Sequence, residues 1–75
     1  MGVALEILKL LETSPRQSPQ SMAEALPYGV SSIKSSLVTL LDLGHVDRLA
    51  HGLYEITESG KDVLHQQLNV KEAEN

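Results

Sequence analysis

Three histidines, His45, His51 and His65, invite a metal-site reading, and no cysteine is present to join them. Two ligands on one helical face need i, i+4 spacing. No pair of these histidines has it, and Asp62 with His65 is a lone i, i+3 pair. A metal site is therefore not expected. Nucleophilic catalysis fares no better. Ser59-Gly60 reads as a helix start, no Gly-rich phosphate loop is present, and so small a core leaves no room for a pocket beside it. The expectation is a protein that is not an enzyme and has no cofactor. The polar chemistry left over is concentrated in Ser31, Ser32, Lys34, Ser35, Ser36 and Thr39. Hydroxyl groups both donate and accept hydrogen bonds, and they are small. Serine is a mediocre helix former, so four serines on one helical face call for a reason other than propensity.

The elements that carry these residues follow from periodicity. In Val3 to Glu12, Ala4, Leu5, Ile7, Leu8 and Leu11 make a wide apolar face with Glu6, Lys9 and Glu12 opposite, the pattern of a helix. Leu10 widens that face, which implies burial on two sides or a partner surface. Pro15 ends the helix. Arg16-Gln17 reads as a short connector. Ser18-Pro19 is an N-cap followed by proline at the first helical position, and Met22, Ala23 and Leu26 form the inner side of a short second helix closed by Pro27. A third helix is expected over about 31–43, capped by Ser31 or Ser32. Ile33, Leu37, Leu40 and Leu41 would face inward, and Gly44 would be the stop. Beyond Gly44 the period becomes two. Val46 to Ile56 reads as a hairpin with a tight turn at His51-Gly52. Thr57 should N-cap a last helix, with Glu58 near its positive end and Gly60, Val63, Leu64, Gln67 and Leu68 facing inward.

Composition narrows the class. The chain has 75 residues and 41% apolar content, enough for one small domain, set here at residues 1–70 with a polar tail at 71–75. Tyr28 and Tyr54 are its only aromatics, so the core must be built from Leu, Ile, Val, Ala and Met. With no cysteine, a disulfide scaffold is excluded. No apolar run is long enough to span a membrane, and no basic stretch precedes an apolar segment as in a secretory signal. A cytoplasmic location is the expectation. A domain of this size buries only about 60% of its unfolded-chain surface, and such domains often gain stability by oligomerising.

Helix, helix, short Gly-containing turn, helix, hairpin, helix is the order of a helix-turn-helix followed by a wing. The strings Gly44-His45-Val46-Asp47-Arg48 and Gly52-Leu53-Tyr54-Glu55-Ile56-Thr57-Glu58-Ser59-Gly60-Lys61 resemble the end of the recognition helix, the wing and the start of the last helix in winged helix-turn-helix regulators of the MarR, ArsR and PadR groups. The resemblance covers roughly residues 3 to 68 and does not single out one group. The fold class it implies is α+β, mainly α, with three helices, a two-stranded wing and a C-terminal helix. It also implies a sequence-specific transcriptional regulator that sets the third helix in the major groove of double-stranded DNA and the wing, about 46–56, on the backbone or minor groove. Carried over by position, Ser31, Ser32, Lys34, Ser35, Ser36 and Thr39 would face DNA. Arg48 and His51 would sit on the wing, and Ser18 and Gln20 would contact phosphate through side chains and backbone N–H groups.

The charge distribution bears on both readings of that face. Six basic and ten acidic residues give a net charge of −4. Residues 1–13 carry −1, residues 14–54 are neutral, and residues 55–75 carry −3. The acidity thus lies outside the helix-turn-helix and most of the wing. Arg16, Lys34 and Arg48 are the only cations of the neutral part, and the third helix has no Arg, Asn or Gln for bidentate base reading. Arg48 can instead pair with Asp47 or Glu55. A homodimer would double the basic footprint, meeting through the surplus apolar surface of helix one, Leu10 included, and/or the Leu64-Leu68 face of helix four. The alternative is a protein-interaction winged helix, an adaptor or a subunit of a larger complex, with little or no DNA binding.

Overall fold

The structure is a computed structural model that describes residues 2–14, 16–49 and 52–73, with side chains described through Gln66. It is mainly helical α+β, with four helices and a two-stranded antiparallel hairpin, an architecture compatible with a winged helix. Helix α1 spans Val3–Thr13, α2 Pro19–Ala25, α3 Val30–Leu43 and α4 Glu58–Ala73, and strands β1 Val46–Leu49 and β2 Leu53–Ile56 lie between α3 and α4.

Each helix boundary has a local cause. The Ser18 Oγ accepts the Ser21 N–H at 3.1 Å, and Pro19 occupies the first position of α2, as the Ser-Pro pair leads one to expect. Helix α3 starts one residue earlier than expected. Its N-cap is Gly29, with no side-chain cap, so Ser31 and Ser32 lie inside the first turn and neither is the cap. At the far end Gly44 takes φ 78°, a conformation glycine adopts at no steric cost. Its N–H donates to the Leu41 carbonyl and the His45 N–H to the Leu40 carbonyl, which is a Schellman closure. Thr57 then caps α4, its Oγ1 accepting the Gly60 N–H at 3.1 Å while its hydroxyl donates to the Gly44 carbonyl at 2.7 Å. One hydroxyl therefore ties the end of α3 to the start of α4.

The hairpin register pairs Val46 with Ile56, Arg48 with Tyr54 and Leu49 with Leu53. The connection is therefore the three residues 50–52, longer by one than the two-residue turn expected, with Gly52 at φ 74° in the left-handed position such loops require. The connector before α2 is also more than a connector. Gln17 forms an antiparallel bridge with Tyr54, so β2 is flanked by β1 on one side and by this single residue on the other. Arg16, just before the bridge, is the one non-glycine residue among those described with positive φ, 71°.

Ile7, Leu8 and Leu11 of α1, Met22 of α2, Ile33, Leu37 and Leu40 of α3, Val46 of β1 and Leu64 of α4 are buried and make one core. Full burial of side chains of this size stabilises by about 1.5–3 kcal/mol each, against the entropy of ordering them. Helix α1 crosses the middle of this core and touches α3, α4 and β2. Leu10 is half-buried against the core. Leu64 is consumed by the core. It is therefore not part of an outward Leu64-Leu68 surface, and the Leu68 side chain lies outside the described residues. No described helix is long and apolar enough to cross a membrane.

Candidate nucleic-acid interface

The start of α2, the outer side of α3 and the hairpin converge on one concave cleft of about 320 Å³. Its lining is Ser18, Pro19 and Gln20 from α2, Lys34 from α3, and Gly52 and Tyr54 from the hairpin. Three residues singled out from the sequence, Ser18, Gln20 and Lys34, thus meet in one cleft although they lie on different elements. Pro19, Gly52 and Tyr54 read from the sequence as helix start, turn and strand residues, not as interface residues. Tyr54 shares a hairpin face with Val46, Arg48 and Ile56. The structure leaves it half-buried, packed against the core and reaching the cleft as well.

Among the described residues the cleft is lined by one cation and no carboxylate. Among the described residues neither Lys34 nor Arg48 has a carboxylate within salt-bridge distance. The register accounts for Arg48. It stands opposite Tyr54, whereas Asp47 stands opposite Glu55 on the other face of the hairpin, so the pairing with Asp47 or Glu55 is not made. Arg48 shares a strand face with Val46 but lies nearer the hairpin tip, past the core, and is exposed.

The serine-rich face divides. Ser31, Ser32, Ser35 and Thr39 are exposed along α3 together with Lys34, while Ser36 is half-buried on the flank nearest the core. The Ser18 hydroxyl is already an acceptor in the α2 cap, which leaves its O–H free to donate outward. His51 lies outside the described residues. The other histidines make exposed side-chain contacts between elements. His45 Nδ1 is 2.9 Å from the Ser59 Oγ, and His65 Nε2 is 2.7 Å from the Glu12 Oε2, linking α4 to α1.

A second concavity of about 290 Å³ lies on another side of the molecule, where the N-terminal part of α1, the C-terminal end of α3 and α4 meet. Leu5, Leu8, Leu40, Leu43 and Val63 line it, with His45 as its polar member. Leu43 at its edge is 60% exposed.

Comparison with known proteins finds no family model that matches the chain, no similar curated protein and no similar solved structure.

Proposed function

We propose that this chain is a winged helix-turn-helix module that binds double-stranded DNA as a transcriptional regulator in the cytoplasm, with α3 in the major groove and the hairpin on the backbone or minor groove. The observation that carries the reading is the cleft itself. Gln20 and Ser18 at the start of α2, Lys34 on α3 and Tyr54 on the hairpin line one concave surface to which the described residues bring no carboxylate. Phosphate is recognised by such a set of cations, hydroxyls and amides, and phosphate contacts fix the register of a protein on the duplex. Ser31, Ser32, Ser35 and Thr39 then lie against base edges, and Arg48 reaches the backbone from the wing. With so few cations a single copy binds modestly. A homodimer formed through α1 and/or α4 doubles the footprint and sets two half-sites about one helical turn apart.

The test is a mobility-shift titration of duplex DNA at low and raised salt. Salt-dependent binding that weakens in Lys34→Ala and again in Lys34→Ala with Arg48→Ala supports the reading. No binding to any duplex at low salt, or binding unchanged in the double variant, overturns it.

A second reading, a module that meets a protein, is favoured by the apolar concavity beside Leu43 and by the net charge of −4. It is distinguished by a partner lost in variants of that concavity that keep the fold and bind no DNA.

A further inference from the structure

Val38 stands out on α3. Its side chain is 60% exposed in the middle of a helix whose other apolar residues mostly face the core. A β-branched residue in an exposed helical position is a poorer helix former than alanine and leaves apolar surface in water. Neither local structure nor packing within the chain accounts for it. Its neighbours do suggest an occupant. Val38 follows Lys34 by four residues and Ser31 by seven, so it lies on one stripe with Ser31, Lys34 and Ser35. The result is a spot of two methyl groups framed by hydroxyls and a cation.

We infer that Val38 packs against the 5-methyl group of thymine, so that this module prefers A·T pairs in the major groove. This deepens the DNA-binding reading above and rests on it. Guanine and adenine are read best by bidentate Arg, Lys, Asn or Gln, and α3 offers only Lys34 from that set. Serine hydroxyls contact either kind of base edge and discriminate little. The thymine methyl is the apolar feature of the major groove, and an isolated apolar side chain among polar ones is its complement. A protein hot spot would instead call for a larger apolar anchor seated in a pocket. Asp42, four residues beyond Val38, bounds the stripe, since a carboxylate is repelled by phosphate.

The test compares an alternating dT·dA duplex with the same duplex carrying deoxyuridine in place of thymidine, which deletes only the methyl groups. Fluorescence anisotropy at low salt is read for the wild-type chain and for Val38→Ala. Alanine favours the helix and the position is exposed, so the variant keeps the fold, which circular dichroism checks. The wild type should bind the uracil duplex about fourfold more weakly for each methyl contacted. Val38→Ala should bind both duplexes equally and near the weaker level. Salt-dependent binding with no preference in the wild type, or a preference that survives in Val38→Ala, overturns the inference and leaves the DNA-binding reading standing. No salt-dependent binding to either duplex overturns both.

Discussion

Gln17 and Tyr54 exchange both backbone hydrogen bonds, the Gln17 N–H donating to the Tyr54 carbonyl at 3.1 Å and the Tyr54 N–H to the Gln17 carbonyl at 2.8 Å. In an antiparallel ladder one residue's N–H and C=O point to the same side. Tyr54 therefore spends its backbone bonds on Gln17, which makes Arg48 and Tyr54 a non-hydrogen-bonded pair with side chains close together. The bridge sets the hairpin against the residue just before the α2 cap. It thereby fixes how far Tyr54 and Gly52 stand from Ser18 and Gln20, and so the width of the cleft.

Gln17→Pro should cost about 2 kcal/mol, because it removes one hydrogen bond, strands the Tyr54 carbonyl and restricts the residue before it. Arg16, at φ 71°, would have to leave its present conformation. Gln17→Ala keeps both backbone bonds and should change stability by no more than about 0.5 kcal/mol. Urea denaturation followed by circular dichroism checks the pair. Equal stability of the two variants would show that the bridge holds nothing in place.

The Thr57 hydroxyl makes two bonds at once, to the Gly44 carbonyl and from the Gly60 N–H. Thr57→Val keeps the shape and loses both, which should cost about 2 kcal/mol. Thr57→Ser keeps the oxygen and should recover most of that. Thermal unfolding of the three proteins decides it. A valine variant as stable as wild type would mean that water replaces both bonds without cost.

Much of the fold was legible because it is written in local chemistry. The Ser18-Pro19 pair announces α2, the glycine after Leu43 announces the Schellman closure, and the change of period beyond it announces the hairpin. Gln17 could not be read, since one bridging residue has no periodicity. Propensity favours a serine over glycine as the cap of α3 and so points to Ser31 or Ser32, whereas the helix starts at Val30, with the Ile33 N–H donating to the Gly29 carbonyl at 3.1 Å. Of the candidate interface, Ser18, Gln20 and Lys34 were found through their elements. Tyr54 and Val38 carry no such signal in the sequence, since the cleft that Tyr54 reaches and the exposure of Val38 depend on how the elements pack.

Lys34 and Arg48 are expected to act on affinity through phosphate alone. Each neutralised phosphate steepens the dependence of log K on log salt by about one unit. Lys34→Ala and Arg48→Ala should therefore each flatten that slope by about one and weaken binding across duplexes of different sequence. Backbone NMR shifts during a DNA titration should fall on residues 31–39 and 48–52. A variant that loses affinity for one sequence only, at unchanged slope, would mean that its side chain reads a base.

Gly60 packs so closely on the turn after α3 that a Cβ there would overlap the His45 carbonyl oxygen and lie 2.8 Å from the Ile56 Cγ1. Both obstacles are held in place. The His45 carbonyl accepts the Thr57 N–H at 3.1 Å, and Ile56 is paired with Val46 in the hairpin. Backbone cannot yield as the far end of a side chain does, so Gly60→Ala should cost about 3 kcal/mol. That is a large fraction of the stability of a domain this small, about 4–11 kcal/mol at 0.05–0.15 kcal/mol per residue. Gly29 is the control, since a Cβ there meets nothing within 4 Å, and Gly29→Ala should lose only the modest preference of an N-cap for glycine over alanine. Circular dichroism melts of the two variants test the difference. A Gly60→Ala protein that melts with wild type would mean that α4 can slide away from His45 without loosening the contact between Leu64 and the core.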